Sequence, residues 1–468
     1  LYPGASNSDP YQVANSCRFN DGDSAYMHKT CSSDGNSKTF TISFWQKLGT
    51  AFDADRAVIS GGADSNNYLV VRNTSSQTLQ ILETASGSDH TNLITSRLFR
   101  DPSAWYNIVI AVDTTQGTAS NRVKLYVNGT QETSFSTATY PGEDDDLQFN
   151  NNTAHAIGRR QPQANIYMDG YLAEVVFIDG LQLAASSFGE FDADSPTIWK
   201  PKNLNPISGL KGTNGFYLDF EDSANLGNDV WGGTDLTEVN LAATDQSSDT
   251  PINNFCTLNP LATGSNITLS EGNLVTVGNT SSDSGLTTIT IPFAFSGKWY
   301  WEVKMTDAKS DYPYMGIFDD WESVSDADLN GAGGGALAMD AYIRGANTTL
   351  VKTGTNLTIT APADNDIIMF AIDRDNNKFY MGNNGTWYNS GDPTTGSTGT
   401  GSLFNLTANT ITMFGIHEYD GSDSSVNFGS PAYANSSDAA DANGYGAFEY
   451  APPSGYYALC TKNLAEYG

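Results

Sequence analysis

Residues 297–305 read Gly297-Lys298-Trp299-Tyr300-Trp301-Glu302-Val303-Lys304-Met305, and this stretch decides the fold. Trp299, Trp301, Val303 and Met305 fall on one face of a strand; Lys298, Tyr300, Glu302 and Lys304 fall on the other. Two indoles on one buried face need a second layer to pack against. A pair of facing sheets supplies that layer, with large rings filling the space between them.

Outward from this strand, the same pattern repeats. Tyr314 to Asp319, Asp366 to Asp373 and Lys378 to Gly382 are short apolar runs bounded by polar turns. Arg374 to Asn377 turns into Lys378-Phe379-Tyr380-Met381-Gly382, and Asn383-Asn384-Gly385-Thr386-Trp387 follows. Ser425-Val426-Asn427-Phe428-Gly429 is a late strand, and Pro452-Pro453-Ser454-Gly455-Tyr456 leads into Ala458-Leu459-Cys460. These motifs, in this order, resemble SPRY domains. The resemblance implies a β-sandwich over 255–468 that binds partners through loops and is rarely catalytic.

The N-terminal part alternates as well. Phe40, Ile42 and Phe44 alternate with Thr41 and Ser43; Tyr106, Ile108, Ile110 and Val112 form another strand. Val123, Leu125 and Val127 run into the Asn128-Gly129 turn, and Gly170 to Ile178 ends at Asp179-Gly180. Trp105-Tyr106-Asn107-Ile108-Val109, Val123 to Gly129 and Asp169-Gly170-Tyr171-Leu172-Ala173-Glu174-Val175 resemble successive strands of a concanavalin A-like, laminin-G-type jelly roll. The resemblance spans Cys17 to Asp194 and implies the fold, not an activity.

The fold expected is therefore all-β, with two antiparallel β-sandwich (jelly-roll) domains. They occupy 1–205 and 255–468. Ser186 to Phe191 reads as a short helix, and Pro196, Pro201 and Pro206 punctuate a connector. An ordered but irregular bridge is expected over 206–254, with Phe216, Leu218, Phe220 and Trp231 as apolar anchors.

Composition agrees with this reading. The 468 residues include 45 Gly, 23 Tyr and 22 Phe, and only 16% are charged. Long helices need runs of Ala, Leu, Glu, Lys and Arg, which are missing. The net charge of −30 repels nucleic-acid phosphate and anionic membrane surfaces. No apolar run is long enough to span a bilayer. Leu1-Tyr2-Pro3-Gly4 has neither an initiator Met nor a signal-peptide shape, so the chain reads as a piece of a longer or processed protein.

A segment containing Asn254-Phe255-Cys256-Thr257-Leu258-Asn259-Pro260, set between a laminin-G-like and a SPRY-like module, resembles fibre and surface proteins of marine bacteriophages. The ending Ala458-Leu459-Cys460-Thr461-Lys462-Asn463-Leu464 carries the same resemblance. It implies a non-enzymatic virion surface protein that adheres to a host-surface glycan or receptor. The implied partners are other virion proteins and further copies of the chain, in a homo-oligomer for which fibres suggest a trimer. A ligand-free capsid-decorating protein and a secreted carbohydrate-binding or carbohydrate-active protein are the alternatives.

Chemistry-bearing residues are few. Tyr312, Tyr314, Asp319, Asp320 and Trp321 cluster at the start of a long loop, where aromatic rings beside carboxylates suit sugar binding. Glu143-Asp144-Asp145-Asp146 is the densest acid run and reads first as a solvated loop; the alternative is that Asp144, Asp145 and Asp146, as hard oxygen ligands, hold calcium, the one candidate cofactor. Cys256 and Cys460 lie in segments that echo each other, and they are the candidate disulfide; a buried reduced pair is the alternative. For catalysis the nearest approach to a paired-carboxylate strand is Glu418-Tyr419-Asp420-Gly421-Ser422-Asp423, which lacks the final Glu. His28, His90, His155 and His417 form no His-Glu-x-x-His pattern; His417 reads as a partly buried strand residue. Gly331 to Gly335 has no Lys to make a phosphate loop and reads as a flexible loop.

Overall fold

A computed structural model describes residues 11–49, 54–279, 285–293, 295–309, 311–320, 339–352 and 355–468. The chain divides into two compact units, Leu1–Ile252 and Asn253–Gly468. Among the described residues no helix is long and apolar enough to cross a membrane.

In the first unit, two eight-stranded sheets face each other. One is centred on Thr39–Leu48, which pairs antiparallel with Trp105–Asp113 on one side and Gly170–Asp179 on the other. The second runs from Phe135–Thr139 through Ser88–Thr95, Leu79–Ala85, Asn67–Asn73 and Arg56–Asp64 to Ala154–Ile157 and Tyr26–Thr30. Phe40, Ile42, Phe44, Ile108, Ile110 and Val112 point between the sheets, as their alternation requires.

The segment 206–254 is not a bridge. Phe216–Leu218 pairs with Gly170–Asp179, Thr237–Val239 with Tyr26–Thr30, and Gln246–Ser247 with Ser16–Phe19. Its apolar anchors extend the first sandwich: Phe216, Leu218 and Phe220 enter the core, and Trp231 packs on Tyr217. Lys47, on the outer side of its sheet, is buried and reaches Asp249 at 2.6 Å. Trp105 Nε1 donates to the other Asp249 oxygen at 3.0 Å. This pair fixes the end of the segment over an outer layer of Trp45, Trp105 and Tyr171. The stretch expected as a helix after Gly180 is a short 3-10 turn, Ala185–Ser187, followed by the strand Gly189–Phe191.

The second unit also has two sheets. The nine-stranded one is built on Lys298–Asp307, between Ile367–Asp373 and Asp423–Asn427, with Tyr457–Ala458 added in parallel. The seven-stranded one runs Leu258–Thr263, Gly285–Ile289, Met413–Glu418, Tyr314–Phe318, Ala341–Arg344, Thr349–Lys352 and Leu357–Thr358. Trp299, Trp301, Val303 and Met305 fill the space between them. Trp301 lies parallel to Phe370, centroids 5.2 Å apart, and edge-on to Phe414.

On the other face of that strand, Tyr300 and Glu302 are buried as well. A third layer covers them. Glu302 accepts the Tyr300 hydroxyl at 2.7 Å and the backbone N–H groups of Glu449 and Tyr450 at 2.9 and 2.8 Å. Around it, Phe255, Phe448, Tyr456 and Ala458 form a separate apolar cluster.

The proposed disulfide is corrected by register. Phe255 stands opposite Cys460 in an antiparallel bridge, so Cys256 is one residue out of step. Adjacent side chains point to opposite faces. Cys256 joins the inter-sheet core and Cys460 joins the outer cluster; all four cysteines are buried and none forms a disulfide.

Candidate functional site

The strand Tyr314–Phe318 sits inside the seven-stranded sheet, and its alternation sets up the site. Met315 and Ile317 enter the core, which leaves Tyr314 and Gly316 on the outer face. Tyr314 pairs with His417 on one neighbour and Arg344 on the other, so three functional side chains line up across the sheet. Gly316 pairs with Tyr342. A Cβ at Gly316 would lie 2.6 Å from Tyr342 Cβ, so only glycine lets Tyr342 lie close beside Tyr314.

The rings form a column. Tyr342 and Tyr314 are stacked with centroids 5.4 Å apart, and Tyr314 and Tyr312 with centroids 4.6 Å apart. Tyr419 tilts against Tyr312 at 4.9 Å. His417 lies beneath, 5.5 Å from Tyr314 and 5.7 Å from Tyr312. Because the faces are spent on one another, the column offers solvent mainly ring edges and hydroxyls. A sugar ring can stack only at its ends. Tyr312, Tyr314 and Tyr419 are half-buried; Tyr342 and His417 are buried.

A polar rim completes the arrangement. Arg344 lies over the Tyr314 ring at 5.8 Å and pairs with Asp311 at 3.5 Å. Asn347 donates to Asp311 at 2.6 Å and accepts from Arg344 at 3.3 Å. Burial pushes the Tyr312 hydroxyl up to about 12, with Tyr314 and Tyr419 adding to the shift. Burial pulls His417 down to about 4, so its imidazole is neutral at pH 7. A neutral imidazole has one donor and one acceptor nitrogen. Among the described residues, neither Nδ1 nor Nε2 of His417 has a hydrogen-bond partner, although the residue is only 2% exposed.

The sequence-predicted residues divide. Tyr312 and Tyr314 belong to the column. Asp319 does not: it is buried, accepts Thr407 N–H at 2.7 Å, and lies 3.9 Å from the buried Arg374. It holds the strand end in place. Asp320 is exposed beside it, and Trp321 lies outside the described residues, as does the glycine run 331–335. His417, Tyr342, Tyr419 and Arg344 were not singled out as binding residues. The alternation of Tyr342 with Arg344, matching that of Tyr312 with Tyr314, was the available signal.

The calcium expectation is corrected by geometry. Asp144 turns to Lys38 at 3.8 Å, Asp145 accepts Gly142 N–H at 2.6 Å, and Asp146 accepts the Ser37 hydroxyl at 2.8 Å. The three carboxylates diverge. Among the described residues, no group of three acidic, His or Cys side chains is placed to hold a metal ion. The paired-carboxylate candidate also separates. Glu418 is fully buried against the Thr276 and Ser422 hydroxyls, while Asp420 is exposed on a turn.

With the geometry in place, known proteins can be set beside it. Residues 20–184 match the laminin G-type family model of the concanavalin A-like lectin/glucanases superfamily. That stretch lies wholly within the first unit. No curated protein matches the chain. Among solved structures, the SPRY domain of human HERC1 is 16% identical, with 36% of this chain and 96% of that one covered and a TM-score of 0.28. Domains LG4-5 of the mouse laminin α1 chain are 12% identical, covering 87% of this chain and 84% of that one, with a TM-score of 0.29. A CBM40 module of the Ruminococcus gnavus IT-sialidase, bound to α2,3-sialyllactose, is 14% identical over 31% of this chain and 87% of that one, TM-score 0.22. At these values the likeness is one of fold.

Proposed function

We propose that the chain is a non-enzymatic adhesion protein that binds host-surface glycan through the outer tyrosine face of its second unit. The observation that carries this reading is the column of Tyr342, Tyr314, Tyr312 and Tyr419, rimmed by Arg344, Asp311 and Asn347. Phenol hydroxyls, a guanidinium and an amide can each pair with sugar hydroxyls, and the half-buried Tyr419 at one end of the column offers apolar surface to a sugar face. The match of residues 20–184 to a lectin/glucanase superfamily is compatible with a glycan ligand. The burial of Glu418 and its distance in role from Asp420 favour binding over hydrolysis, since glycoside cleavage needs two carboxyls flanking one bond.

The location proposed is the surface of a bacteriophage particle, in a homo-oligomer for which a trimer is one form, with other virion proteins as neighbours. It rests on the resemblance of the segments 254–260 and 458–464 to phage fibre proteins. Repeated copies would let weak contacts add through effective concentration.

Two measurements test the reading. Immunogold labelling of assembled particles with antibody to this chain is expected to decorate the outer surface; labelling of none would remove the virion assignment. Adsorption of the purified chain to host cells is expected to fall after glycan-stripping of those cells. Unchanged adsorption would remove the glycan.

A further inference from the structure

The first unit carries a face of different chemistry. The chain has 53 acidic residues against 23 basic ones, and seven of its ten arginines lie within 3.9 Å of a carboxylate oxygen. Arg159 and Arg160 depart from this pattern. Among the described residues neither meets a carboxylate, and each lies on a tyrosine ring instead. The guanidinium carbon of Arg159 is 3.8 Å from the centroid of Tyr26, and that of Arg160 is 5.4 Å from the centroid of Tyr68.

Alternation puts both rings on the outer side of one sheet. Met27 enters the core between the sheets, so Tyr26 points out; Leu69 and Val71 enter it, so Tyr68 between sequence and core points out as well. Residues 158–168 cross this face. The Ile166 carbonyl accepts Ala57 N–H at 2.9 Å, and the Ile166 side chain packs on the outer cluster of Ala57, Tyr68, Val70 and Leu82. Ser60 Oγ donates to the Arg159 carbonyl at 2.8 Å and accepts Gln161 N–H at 2.8 Å. Gln161, 6% exposed, accepts from the Arg159 guanidinium at 2.7 Å, which orients that group on its ring. The Arg160 side chain has no hydrogen-bond partner among the described residues. Tyr167 tilts against Tyr26, with centroids 6.2 Å apart. Tyr26, Arg159, Arg160 and Tyr167 are all half-buried, so a ligand reaches them from solvent without any part of the chain moving.

A guanidinium is a planar fork of five N–H donors that matches the paired oxygens of an oxyanion. Resting on a ring, it is partly desolvated, which strengthens its attraction for a counter-ion. The two rings stand on Tyr26–Thr30 and Asn67–Asn73, with two strands between them, about 14 Å apart across the sheet. One monosaccharide cannot touch both arginines, whereas a polymer with an anion on repeated units can. The net charge of −30 opposes an anion at long range, but salt screens that field beyond ~10 Å and leaves the local pair to decide.

We propose that this outer face of the first unit binds an acidic polysaccharide, whose carboxylate or sulfate groups pair with Arg159 and Arg160 and whose sugar rings lie against Tyr26 and Tyr167. The site is separate from the tyrosine column of the second unit and does not depend on it.

The test titrates the intact chain against immobilised alginate, dextran sulfate and unmodified dextran, at low and at physiological ionic strength. The unaltered chain is compared with Arg159→Gln and Arg160→Gln. Lys378→Gln is the control: it removes the same charge in the second unit, where Lys378 bonds only to Asn405. Circular dichroism checks folding, and Arg160→Gln, which breaks no hydrogen bond, stays readable if Arg159→Gln unfolds. The expected result is binding to an acidic polymer and not to dextran, weakened by salt, weakened about tenfold or more in each arginine variant and unchanged in the control. Whichever acidic polymer binds names the anion, carboxylate or sulfate. Equal binding to dextran would overturn the acidic class. Binding that both arginine variants retain, or that the control loses equally, would overturn the site. A chain that binds neither acidic polymer at either ionic strength would overturn the proposal; if its self-association were also lost in Arg159→Gln, the face would belong to an acidic segment of a second copy.

Discussion

On the nine-stranded sheet of the second unit, the outward residues of the tryptophan strand are sealed beneath a third layer. On the outer side of the seven-stranded sheet, Tyr314 is a half-buried ring packed between Tyr312 and Tyr342. Each face buries an ionisable group whose surroundings can be compared, Glu302 on the first and His417 on the second. Glu302 is met by Tyr300, Asn427 and the N–H groups of Glu449 and Tyr450. His417 lies against the Tyr312 and Tyr314 rings and stands opposite Leu286 in the sheet. The Glu302 carboxylate is thus met by donors within its layer, whereas the His417 nitrogens have no hydrogen-bond partner among the described residues. An unpaired buried group is informative because its cost is not repaid within the chain.

The comparison breaks most directly at Glu302. Glu302→Ala strips the acceptor from two backbone donors and a phenol inside a closed layer. The expected loss is about 3–5 kcal/mol in urea unfolding of the second unit, larger than for an ordinary surface change. A loss below about 1 kcal/mol would mean that the third layer is not held by this carboxyl.

A pH titration sharpens the contrast between buried acid and buried base. Glu418 is enclosed between the sheets, and burial pushes its carboxyl up to about 7. Its unfolded value is about 4.3, so the folded state binds the proton more tightly. Its contribution is therefore complete below pH ~4.3 and is lost as pH rises through about 7, on the order of 3 kcal/mol in all. Glu418→Gln keeps the shape without the charge, and its urea midpoint is expected to fall less than that of the unaltered chain over this range. His417 has the opposite sign. Burial holds it down to about 4, so protonation on unfolding removes stability as pH falls below ~6.5.

At neutral pH, His417→Phe is expected to change stability by less than about 1 kcal/mol, or to raise it slightly. Replacing an unpaired polar ring with an apolar ring of similar shape removes a desolvation cost and no hydrogen bond. The acid-side loss of stability should shrink in the same variant. A large destabilisation at pH 7 would mean that the imidazole is structurally paired and that the two faces do not differ as described.

Much of the fold was legible because alternation is a local signal. Trp299, Trp301, Val303 and Met305 needed no partner to be assigned to one face, and Phe40, Ile42 and Phe44 behave likewise. What covers the outer faces was not legible. Thr41 is buried because its hydroxyl bonds to the carbonyl of Leu181, a contact 140 residues away. Segment 206–254 reads as polar, and its strands become visible only once Gly170–Asp179 stands ready to pair with Phe216–Leu218. Half of the site was legible. Tyr312 and Tyr314 stood out by spacing, whereas Asp319 was misplaced because its partner Arg374 is distant in sequence. His417, Tyr342 and Arg344 come from two other strands, and only the sheet register brings them to Tyr314.

The smallest expected effect concerns the thiols, and it tests the layering itself. The echo between the segments around Cys256 and Cys460 correctly marked them as neighbours, since Cys256 N–H bonds to the Leu459 carbonyl. The one-residue offset then sends Cys256 inward and Cys460 outward, so the backbone stands between them. Both thiols are buried, and burial raises Cys460 to about 11, which keeps it protonated and unreactive at neutral pH. A reducing agent is expected to leave the urea midpoint and the intact mass of the chain unchanged, and thiol labelling is expected to require denaturant. A mass 2 Da higher after reduction would require a disulfide, and with it a register that places both thiols on one face; the separation of the inner core from the outer layer would then fail.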